Sequence, residues 1–366
     1  MLNIVHMFNY LGHAGTEMSV YNTINEIKNK ANIIIIYSKD GPGRKLFEEM
    51  NIPLMQLEMA GTFDMKAAIM LKKICLENKV DVVHTHFLRE HSIAVLSKCL
   101  GNKVKIINTR HMLLKNKKSV IYLNKLLSIK TDKIIAVSKA VEERLVSEGI
   151  SREKISYIPN GIDIDKWQSP PQEDIRKKYN IDKDTLVITS IARFRWEKGH
   201  KFFIDSIKRY FELIEKGKIN RKVVFLLVGD GALLESIKEY ADELKIKDRL
   251  IFTGFETNIM DYLKASDLFI CHSQYEAFGI SILEAMACKL AVISTDSGGT
   301  REIIDIKLNN GVLVPFGDTQ KLAEEMLRLT IDDELRRTLG ENGHKSIVNK
   351  YDLKYLAEET LKIYLK

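Results

Sequence analysis

The chain has 366 residues, of which 45% are hydrophobic and 29% are charged, and its formal net charge is +7. This length and composition are typical of a folded protein with two domains, and they exclude a disordered or fibrous chain. The four cysteines lie far apart and form no C-x-x-C pair, which argues against a disulfide framework or a zinc site. The apolar runs are too short to span a bilayer, and the first residues lack the features of a secretion signal. We therefore expect a cytoplasmic protein.

Short apolar segments alternate with amphipathic segments along the first half of the chain. Residues 17–28, 63–78 and 91–100 have the spacing of amphipathic helices. Buried strands are predicted at residues 2–8, 33–37, 80–85, 105–109 and 133–137. This alternation predicts a parallel sheet with helices on both faces.

The pattern breaks at residues 160–179, which include Pro170 and Pro171, and then starts again. The second half contains predicted strands at 186–191, 223–229, 250–253, 267–272 and 291–294, with helices at 201–214, 232–244, 259–265 and 280–287. We therefore predict an α/β fold with a Rossmann-like domain over residues 1–165, a linker over 166–184, and a second Rossmann-like domain over 185–350. A terminal helix over 351–366 is expected to pack back on the first domain. Ligands of such sheets bind beyond the carboxyl ends of the strands, so two sheets facing each other would place the functional residues around one cleft.

Two positive side chains follow the strand at residues 186–191. Arg193 and Lys198 lie five residues apart in a loop that leads into a helix. A planar guanidinium and a compact ammonium can converge on one diphosphate. The alternative interpretation is a solvated charged loop.

Two carboxylates flank the loop after the strand at residues 267–272. Gly279 allows the backbone to approach a ligand closely, and the amides of residues 279–282 form an anion site at the start of a helix. Glu276 lies before this helix and Glu284 lies one turn inside it, where each can accept hydrogen bonds from hydroxyl groups. These groups together suit a sugar nucleotide. The alternative is that Glu284 caps the helix and that Glu276 is a surface charge.

Glycine-bearing turns follow other predicted strands. One is the Gly-Asp-Gly turn that begins at Gly229, and another spans residues 296–302. In the first half, the loop at residues 12–17 contains Gly15 and can lay backbone amides against a phosphate. This loop is not G-x-G-x-x-G, so a nicotinamide-binding fingerprint is not supported.

Histidines mark the strand ends of the first half. His84 and His86 end one predicted strand on the same side, with His86 nearer the cleft, and the next strand is followed by Arg110 and His111, which are acceptor-side candidates. A metal site is not expected, because no carboxylate or thiol lies at ligand spacing from the histidine pair.

The two loops of the second half resemble the retaining glycosyltransferases of the GT-B fold, specifically the large GT4 family. The E-x7-E pattern runs from Glu276 to Glu284 and lies within Tyr-Glu-Ala-Phe-Gly and Leu-Glu-Ala-Met-Ala, and Arg193 with Lys198 and Gly199 matches R-x4-K-G. Also similar are the motifs at residues 136–138, 159–163, 228–231, 253–255 and 298–302. The resemblance covers nearly the whole chain, and the joint order and spacing make chance implausible.

This resemblance implies a role for each matching residue. Arg193 and Lys198 would hold the donor diphosphate, Glu284 the ribose and Glu276 the transferred sugar. The remaining positions would contact the donor through the backbone or a side chain: Gly15, His86, Gly229, Gly254, Phe255, Phe278, Gly279, Ile280 and Ser281. Ala14 replaces the first glycine of the family's Gly-Gly loop, which puts the phosphate contact there in question.

The resemblance further implies transfer with retention of anomeric configuration. A UDP-sugar is the favoured donor and GDP-mannose the next, with a glycan or lipid-linked acceptor. No cofactor or metal is expected, because Arg193, Lys198 and the helix amides supply the positive charge that a diphosphate leaving group needs. The Asp-Ile-Asp sequence at Asp163 superficially resembles a metal-binding D-x-D motif, and we interpret it as structural.

The excess of positive charge is concentrated between residues 98 and 133, where ten Lys or Arg residues accompany one acidic residue. Lys115, Lys117 and Lys118 lead into an amphipathic helix over 119–129, and Lys125 lies off its apolar stripe, which is formed by residues 120, 123 and 127. We expect this helix to contact an anionic membrane surface peripherally. The alternative is that the stripe packs on the core of the domain. No nucleic-acid-binding motif accompanies the charge.

Two other function classes share this architecture. A nucleotide-sugar 2-epimerase would convert the donor without an acceptor. A non-catalytic sugar-nucleotide-binding scaffold would be expected to have lost Arg193, Lys198 or Glu276, and all three are present.

Overall fold

A computed structural model of the chain describes residues 1–113 and 116–366. These residues form two compact units, one from Met1–Gly161 with Leu353–Lys366 and the other from Ile162–Asp352.

The first unit contains a parallel sheet of seven strands in the order β3-β2-β1-β4-β5-β6-β7. Its strands are β1 (Leu2–Tyr10), β2 (Ala31–Lys39), β3 (Leu54–Gln56), β4 (Val82–Thr85), β5 (Lys105–Arg110), β6 (Lys133–Ala136) and β7 (Ile155–Tyr157). Its helices are α1 (Gly15–Ile27), α2 (Arg44–Glu49), α3 (Met65–Glu77), α4 (Leu88–Cys99), α5 (Lys118–Lys130) and α6 (Lys139–Ser147).

Alternation along the strands divides the core of the first unit into two layers. In β1, Ile4 and Phe8 pack on the side of α1, whereas Val5 and Met7 pack on the side of α3 and α4. Both sets are buried, as expected for a parallel sheet covered on both faces. His6 lies between Ile4 and Phe8 and therefore faces the α1 side.

The second unit contains a parallel sheet of six strands in the order β10-β9-β8-β11-β12-β13. Its strands are β8 (Leu186–Ile191), β9 (Val223–Val228), β10 (Leu250–Gly254), β11 (Leu268–Cys271), β12 (Ala291–Thr295) and β13 (Val312–Val314). Its helices are α7 (Ile164–Gln168), α8 (Ile175–Lys178), α9 (His200–Lys216), α10 (Leu234–Glu243), α11 (Ile259–Lys264), α12 (Ile280–Ala287), α13 (Thr319–Ile331) and α14 (Asp333–Val348). Its largest apolar cluster lies under α9, α10 and α13.

The segment expected as a linker, residues 166–184, is instead part of the second unit. It contains most of α7 and all of α8, whose first turns are capped by the carboxylates of Asp163 and Asp174. Arg176 binds it to the sheet, because its guanidinium donates to the Asp267 carboxylate at 2.8 Å and to the Ala265 carbonyl at 3.0 Å. The capping contact gives Asp163 a structural role, in line with our interpretation of the Asp-Ile-Asp sequence.

The terminal helix α15 (Leu353–Leu365) belongs to the first unit. Leu356, Ala357 and Tyr364 join the apolar layer on the α1 side of the first sheet. Lys30 and Glu358 add an exposed ion pair at 2.6 Å. Within the described ranges, no helix has the length and apolar character needed to cross a membrane.

Candidate functional site

A buried ion pair joins the loops that follow β8 and β11, two neighbouring strands of the second sheet. The Lys198 ammonium lies 2.6 Å from Oε2 of Glu276, and the two side chains are only 21% and 16% exposed. Ser273 donates its hydroxyl proton to the same carboxylate oxygen at 3.0 Å. Burial alone would lower the pKa of Lys198, but the Glu276 carboxylate outweighs it, so this pKa is raised above its usual value. Lys198 therefore keeps its charge at neutral pH.

Backbone contacts hold this pair in place. The amides of Gln274 and Tyr275 donate to the Glu197 carbonyl at 2.9 and 3.2 Å, and the Glu276 amide donates to the Ser297 carbonyl at 3.0 Å. The loops after β8, β11 and β12 are thus tied to one another. Gly199 permits the close approach, because its φ is 72° and a Cβ there would lie 2.5 Å from the His272 carbonyl oxygen.

Arg193 follows β8 on the same edge of the sheet, with an exposed side chain. Its guanidinium makes no hydrogen bond or ion pair with any residue that the structure describes, and its charge acts on Lys198 by lowering the pKa of that ammonium. The two cations therefore lie close enough to repel each other. One side chain is paired and the other is available to an anion, so this edge of the sheet offers positive charge that can bind a diphosphate.

The helix α12 begins at this edge without a capping side chain. Gly279 has a φ of 107° and directs the chain into the helix. Among the described residues, no acceptor receives the backbone N–H groups of Ile280 and Ser281, whereas Ile282 donates to the Gly279 carbonyl at 3.0 Å. These unpaired amides form an anion-binding position at the positive end of the helix dipole. The Phe278 side chain is buried against Tyr351, so only its backbone can face a ligand there.

Glu284 lies half-buried one turn inside α12. Burial raises its pKa to about 7, and the Lys166 charge opposes this shift without cancelling it. The carboxyl group therefore exchanges a proton near neutral pH. It is not a helix cap, since it lies within α12 and not at its first position.

Gly229, Gly254 and Phe255 lie at the ends of β9 and β10. The Gly229 amide donates to the Gly254 carbonyl at 2.9 Å, and a Cβ at Gly229 would lie 2.1 Å from the Ala192 carbonyl oxygen. Gly229 is therefore required for the loop after β8 to pass close to β9. Phe255 exposes 52% of its surface beside this turn.

The loop after β1 in the first unit leads into α1, whose first residue is Gly15. Ala14 precedes the helix in an extended conformation with a φ of −109°, which an alanine adopts without strain. The helix starts without a capping side chain. Replacement of the family's first glycine by Ala14 is thus compatible with this backbone.

Four histidines form a buried cluster on the α1 side of the first sheet. His6 pairs with His84 across β1 and β4. Nδ1 of His6 lies 3.2 Å from Nε2 of His86, and Nδ1 of His86 lies 3.2 Å from Nε2 of His111. His84 is held separately by the Tyr364 hydroxyl at 2.6 Å, and also by the Thr109 hydroxyl.

All four histidines are neutral at physiological pH, because burial lowers the pKa of each. The pKa of His6 and that of His111 fall to about 3, and those of His84 and His86 fall well below the usual value, with neighbouring histidines adding to the effect. Nitrogens of His6, His84 and His86 lie within 4.8 Å of one another, a spacing that a metal ion could bridge. Five of the six nitrogens in this trio already have hydrogen-bond partners, and Nε2 of His6 is buried without one.

Arg110 points to the opposite face of β5 from Thr109 and His111. Its guanidinium donates to the Asn124 side chain at 2.7 Å, and burial lowers its pKa to about 10. The structure thus separates the two acceptor-side candidates: His111 joins the histidine cluster, and Arg110 links β5 to α5.

Sequence reasoning did not single out His6, Tyr364 or Glu90. Glu90 is fully buried in the first turn of α4, accepts the Asn9 amide, and has a pKa raised to about 7 by burial. The sequence does contain a signal for His6, because a polar residue inside an apolar strand indicates a buried polar contact. The sequence contains no such signal for Tyr364, because its contact with His84 joins residues 280 positions apart.

Two family models match the chain, and together they account for most of its residues. The model described as Glycosyltransferase Family 4 matches residues 13–166, and the model described as Glycosyl transferases group 1 matches residues 171–346. The chain belongs to glycosyltransferase family 4. It is therefore a transferase, and its two Rossmann-like units are those of the GT-B fold.

Similar proteins share these units over most of their length. The chain is 27% identical to N-acetyl-alpha-D-glucosaminyl L-malate synthase of Bacillus anthracis, over 87% of this chain and 83% of the relative. It is 28% identical to the UDP-Gal:alpha-D-GlcNAc-diphosphoundecaprenol alpha-1,3-galactosyltransferase of Escherichia coli, over 82% of this chain and 79% of that relative. The crystal structure of Anabaena HepE in complex with UDP-glucose is similar with a TM-score of 0.88 at 20% identity, over 99% of this chain and all of that one.

Proposed function

We propose that this enzyme transfers a hexose or N-acetylhexosamine from a UDP-sugar to a glycan or lipid-linked acceptor in surface polysaccharide synthesis. The observation that carries the proposal is the group of cations and free amides at one edge of the second sheet, with the Glu276 carboxylate beside it. Cations suit a diphosphate, and a carboxylate that cannot bind phosphate suits sugar hydroxyls. A UDP-galactose-dependent relative and a UDP-glucose complex of a structural neighbour support uridine diphosphate as the nucleotide of the donor. GDP-mannose is the second candidate from the sequence resemblance.

The cations and free amides at this edge of the sheet can also stabilise the nucleoside diphosphate as it leaves, without a metal ion. Negative charge develops on the diphosphate as the glycosidic bond breaks, and preorganised positive charge stabilises it. Arg193 and Lys198 supply positive charge, which Glu276 offsets in part, and the amides at the start of α12 add the helix dipole. We propose that transfer is metal-independent on this basis, and that addition of EDTA leaves turnover unchanged.

We propose retention of anomeric configuration by attack on the same face as the departing diphosphate, through a short-lived ion pair. NMR of the first product formed should show the anomeric configuration of the donor. Trapping of a covalent glycosyl-enzyme in a mass spectrum would contradict the ion pair, and a product of opposite configuration would contradict retention.

The test of the donor site is a thermal-shift screen with UDP, GDP, CMP and ADP, with and without magnesium. A ligand that binds only the folded state raises the melting temperature by mass action. We expect UDP to do so in either buffer, and Arg193→Ala to abolish the shift. Absence of a shift with every nucleotide would contradict the proposed donor site. Conversion of the donor sugar without an acceptor would favour an epimerase.

The packing of α5 tests the prediction that the basic segment contacts a membrane. The predicted stripe packs inward, since Leu127 is buried in the core and Leu123 packs against it. Leu123 and Leu127 of this stripe therefore pack on the core of the domain, which is the alternative given in the sequence analysis, and they do not face a membrane. Lys115 lies outside the described residues, and Lys117 and Lys118 are exposed at the start of the helix.

A second apolar stripe on α5 is exposed. Tyr122, Leu126 and Ile129 expose 72%, 52% and 64% of their surfaces, at a spacing that places them on one face. The exposed Lys118 and Lys125 lie on the same face, one turn before and one turn after Tyr122. Apolar side chains among lysines suit an anionic lipid surface, and each nearby lysine adds about 1 kcal/mol to binding. We propose peripheral membrane contact through this face.

Flotation with anionic liposomes tests the contact. We expect the wild-type protein to float, and a variant with Ser at Tyr122, Leu126 and Ile129 to remain in the soluble fraction. A variant with Glu at Lys115, Lys117 and Lys118 should also remain there, and neutral liposomes serve as the control. Equal flotation of all three proteins would end the proposal.

A further inference from the structure

Two side-chain contacts join the loops that follow β8 and β11. The inner contact is the ion pair of Lys198 and Glu276, whose side chains are 21% and 16% exposed. The outer contact is aromatic, because the rings of Trp196 and Tyr275 meet edge to face with centroids 5.8 Å apart and an interplanar angle of 69°. In the sequence, Trp196 comes two positions before Lys198, and Tyr275 comes one position before Glu276. The proposed donor site therefore has an aromatic border on its outer side.

The indole of Trp196 faces solvent and not the core of the unit. It is 57% exposed, whereas the other tryptophan of the chain, Trp167, is 9% exposed. Trp196 and Lys198 belong to one 3₁₀ turn, which has three residues per turn, so residues two positions apart point in different directions. The turn that directs Lys198 to Glu276 therefore directs Trp196 away from the ion pair.

Backbone and ionic contacts hold the aromatic pair in place. The Tyr275 amide donates to the Glu197 carbonyl at 3.2 Å, and the Gly199 amide donates to the Trp196 carbonyl at 3.2 Å. The buried Glu197 carboxylate also pairs with the Arg195 guanidinium at 3.1 Å. The residues on both sides of Trp196 are thus anchored, so little backbone ordering is needed when a ligand binds its ring.

An exposed aromatic face beside polar groups suits a pyranose ring. The C–H hydrogens on one face of a pyranose carry partial positive charge, and the face of an indole offers apolar area with negative electrostatic potential. In the part of the chain that the structure describes, the Tyr275 hydroxyl and the Gln274 side-chain amide have no hydrogen-bond partner. Both groups can bind hydroxyls at the rim of the same sugar ring. The pair thus combines a stacking face with hydrogen-bonding groups.

We propose that Trp196 and Tyr275 form a platform on which a pyranose ring of the acceptor stacks beside the donor. The donor's own sugar stays bonded to the diphosphate, whose partner Lys198 lies on the inner side of the two loops. The ring that lies next to the donor sugar during transfer is that of the acceptor. This inference rests on the proposed function and deepens it, since it gives the second unit a part in binding the acceptor saccharide.

Tryptophan fluorescence tests the platform directly, because the chain has only two tryptophans. The protein is saturated with UDP and titrated with the methyl glycosides of glucose, galactose, mannose and N-acetylglucosamine. We expect at least one glycoside to change the emission of the wild-type protein and of Trp167→Phe, and none to change that of Trp196→Phe. Absence of a change in the wild-type protein with every glycoside at up to about 100 mM would overturn the proposal, and so would a change that persists in Trp196→Phe.

Variants of Tyr275 measure the contribution of the second ring, since Trp196 remains as the reporter. Tyr275→Phe keeps the ring and loses the hydroxyl, whereas Tyr275→Ala loses both. We expect Tyr275→Ala to raise the Kd of the responding glycoside about 10-fold, and Tyr275→Phe to raise it less. Phe63→Ala is the matched control, because it removes a ring that is 65% exposed on the first unit, and it should leave the Kd unchanged. An unchanged Kd in Tyr275→Ala would contradict a shared platform.

Measurements with UDP-glucose and UDP separate the possible failures. A larger fluorescence change with UDP-glucose than with UDP, without a response to any glycoside, would place the donor sugar on the platform and overturn the acceptor assignment. The thermal shift with UDP should be unchanged in Trp196→Phe and Tyr275→Phe, and its loss in either variant would show that the pair only holds the donor loops. Loss of UDP binding in the wild-type protein would contradict the donor site, whereas normal UDP binding without a glycoside response would contradict only the platform.

Discussion

Replacement of Glu276 by glutamine should tighten the binding of free UDP while it slows sugar transfer. In the unliganded protein the Glu276 carboxylate partly neutralises Lys198 at a distance of 2.6 Å. UDP alone has no sugar for this carboxylate to contact, so the carboxylate repels the diphosphate and competes with it for the ammonium. Glutamine removes the charge and can still accept the Ser273 hydrogen bond.

The magnitude follows from the geometry of the pair. A phosphate oxygen bound by the same ammonium lies about 2.8 Å from it, which places the two anions about 5 Å apart. At an effective dielectric constant of about 20, the repulsion is about 3 kcal/mol. The two side chains are 21% and 16% exposed, so solvent screens part of this energy. We expect a net gain of about 1 to 2 kcal/mol, or a Kd for UDP that is about 5- to 30-fold lower.

Isothermal titration calorimetry with UDP measures the affinity, and kcat with the UDP-sugar measures transfer. Glu212→Gln is the matched control, because Glu212 forms an exposed pair with Lys208 at 3.6 Å on the same unit. This control should change neither quantity. An unchanged or weaker affinity in Glu276→Gln, with an unchanged melting temperature, would refute the idea that Lys198 exchanges its carboxylate partner for the diphosphate.

Three further perturbations test the supporting structure. Tyr364→Phe should destabilise the first unit by about 1 to 3 kcal/mol, since it leaves Nδ1 of His84 buried without a partner, and thermal unfolding would show the loss. Gly199→Ala should lower the melting temperature and weaken UDP binding, because the new Cβ would lie 2.5 Å from the His272 carbonyl at a φ of 72°; wild-type behaviour would show that the loop has room to shift. Glu284 has a pKa raised from 4.5 to about 7, so the folded state holds this proton more tightly and its stability falls as the pH rises through that window. The melting temperature of Glu284→Gln relative to wild type should therefore rise from about pH 5 to about pH 8, and a constant difference would contradict the shift.

The strands of both sheets were largely predictable because their apolar runs are long. The predicted strand at residues 186–191 has the observed bounds of β8, and residues 105–109 differ from β5 by one residue. The strands β3, β7 and β13 have three residues each, too few for a periodic signal, and they were not predicted. The segment 166–184 was interpreted as a linker because Pro170, Pro171 and a charged run interrupt the periodic pattern. The helices α7 and α8 have only five and four residues, which is too short for a periodic signal of their own.

The candidate site was predictable to the extent that it depends on local motifs. Arg193, Lys198, Glu276 and Gly279 follow strands, and adjacent parallel strands bring their carboxyl ends to one edge. The direct pairing of Lys198 with Glu276 was not predicted, because it depends on how two loops 78 residues apart lie against each other. The histidine cluster was missed for a related reason, since the register that sets His6 beside His84 cannot be read from either strand alone.

The two units differ in how they use charged groups, and this difference is consistent with the reaction that we propose. The second unit keeps Lys198 and Arg193 charged beside free amides, which suits an anionic leaving group. The first unit buries His6, His84, His86 and His111 so that all four stay neutral. A cationic histidine cluster would attract phosphate and compete with the second unit for the donor. The neutral rings instead form hydrogen bonds with one another and with Thr109 and Tyr364, and they add no net charge to the first unit.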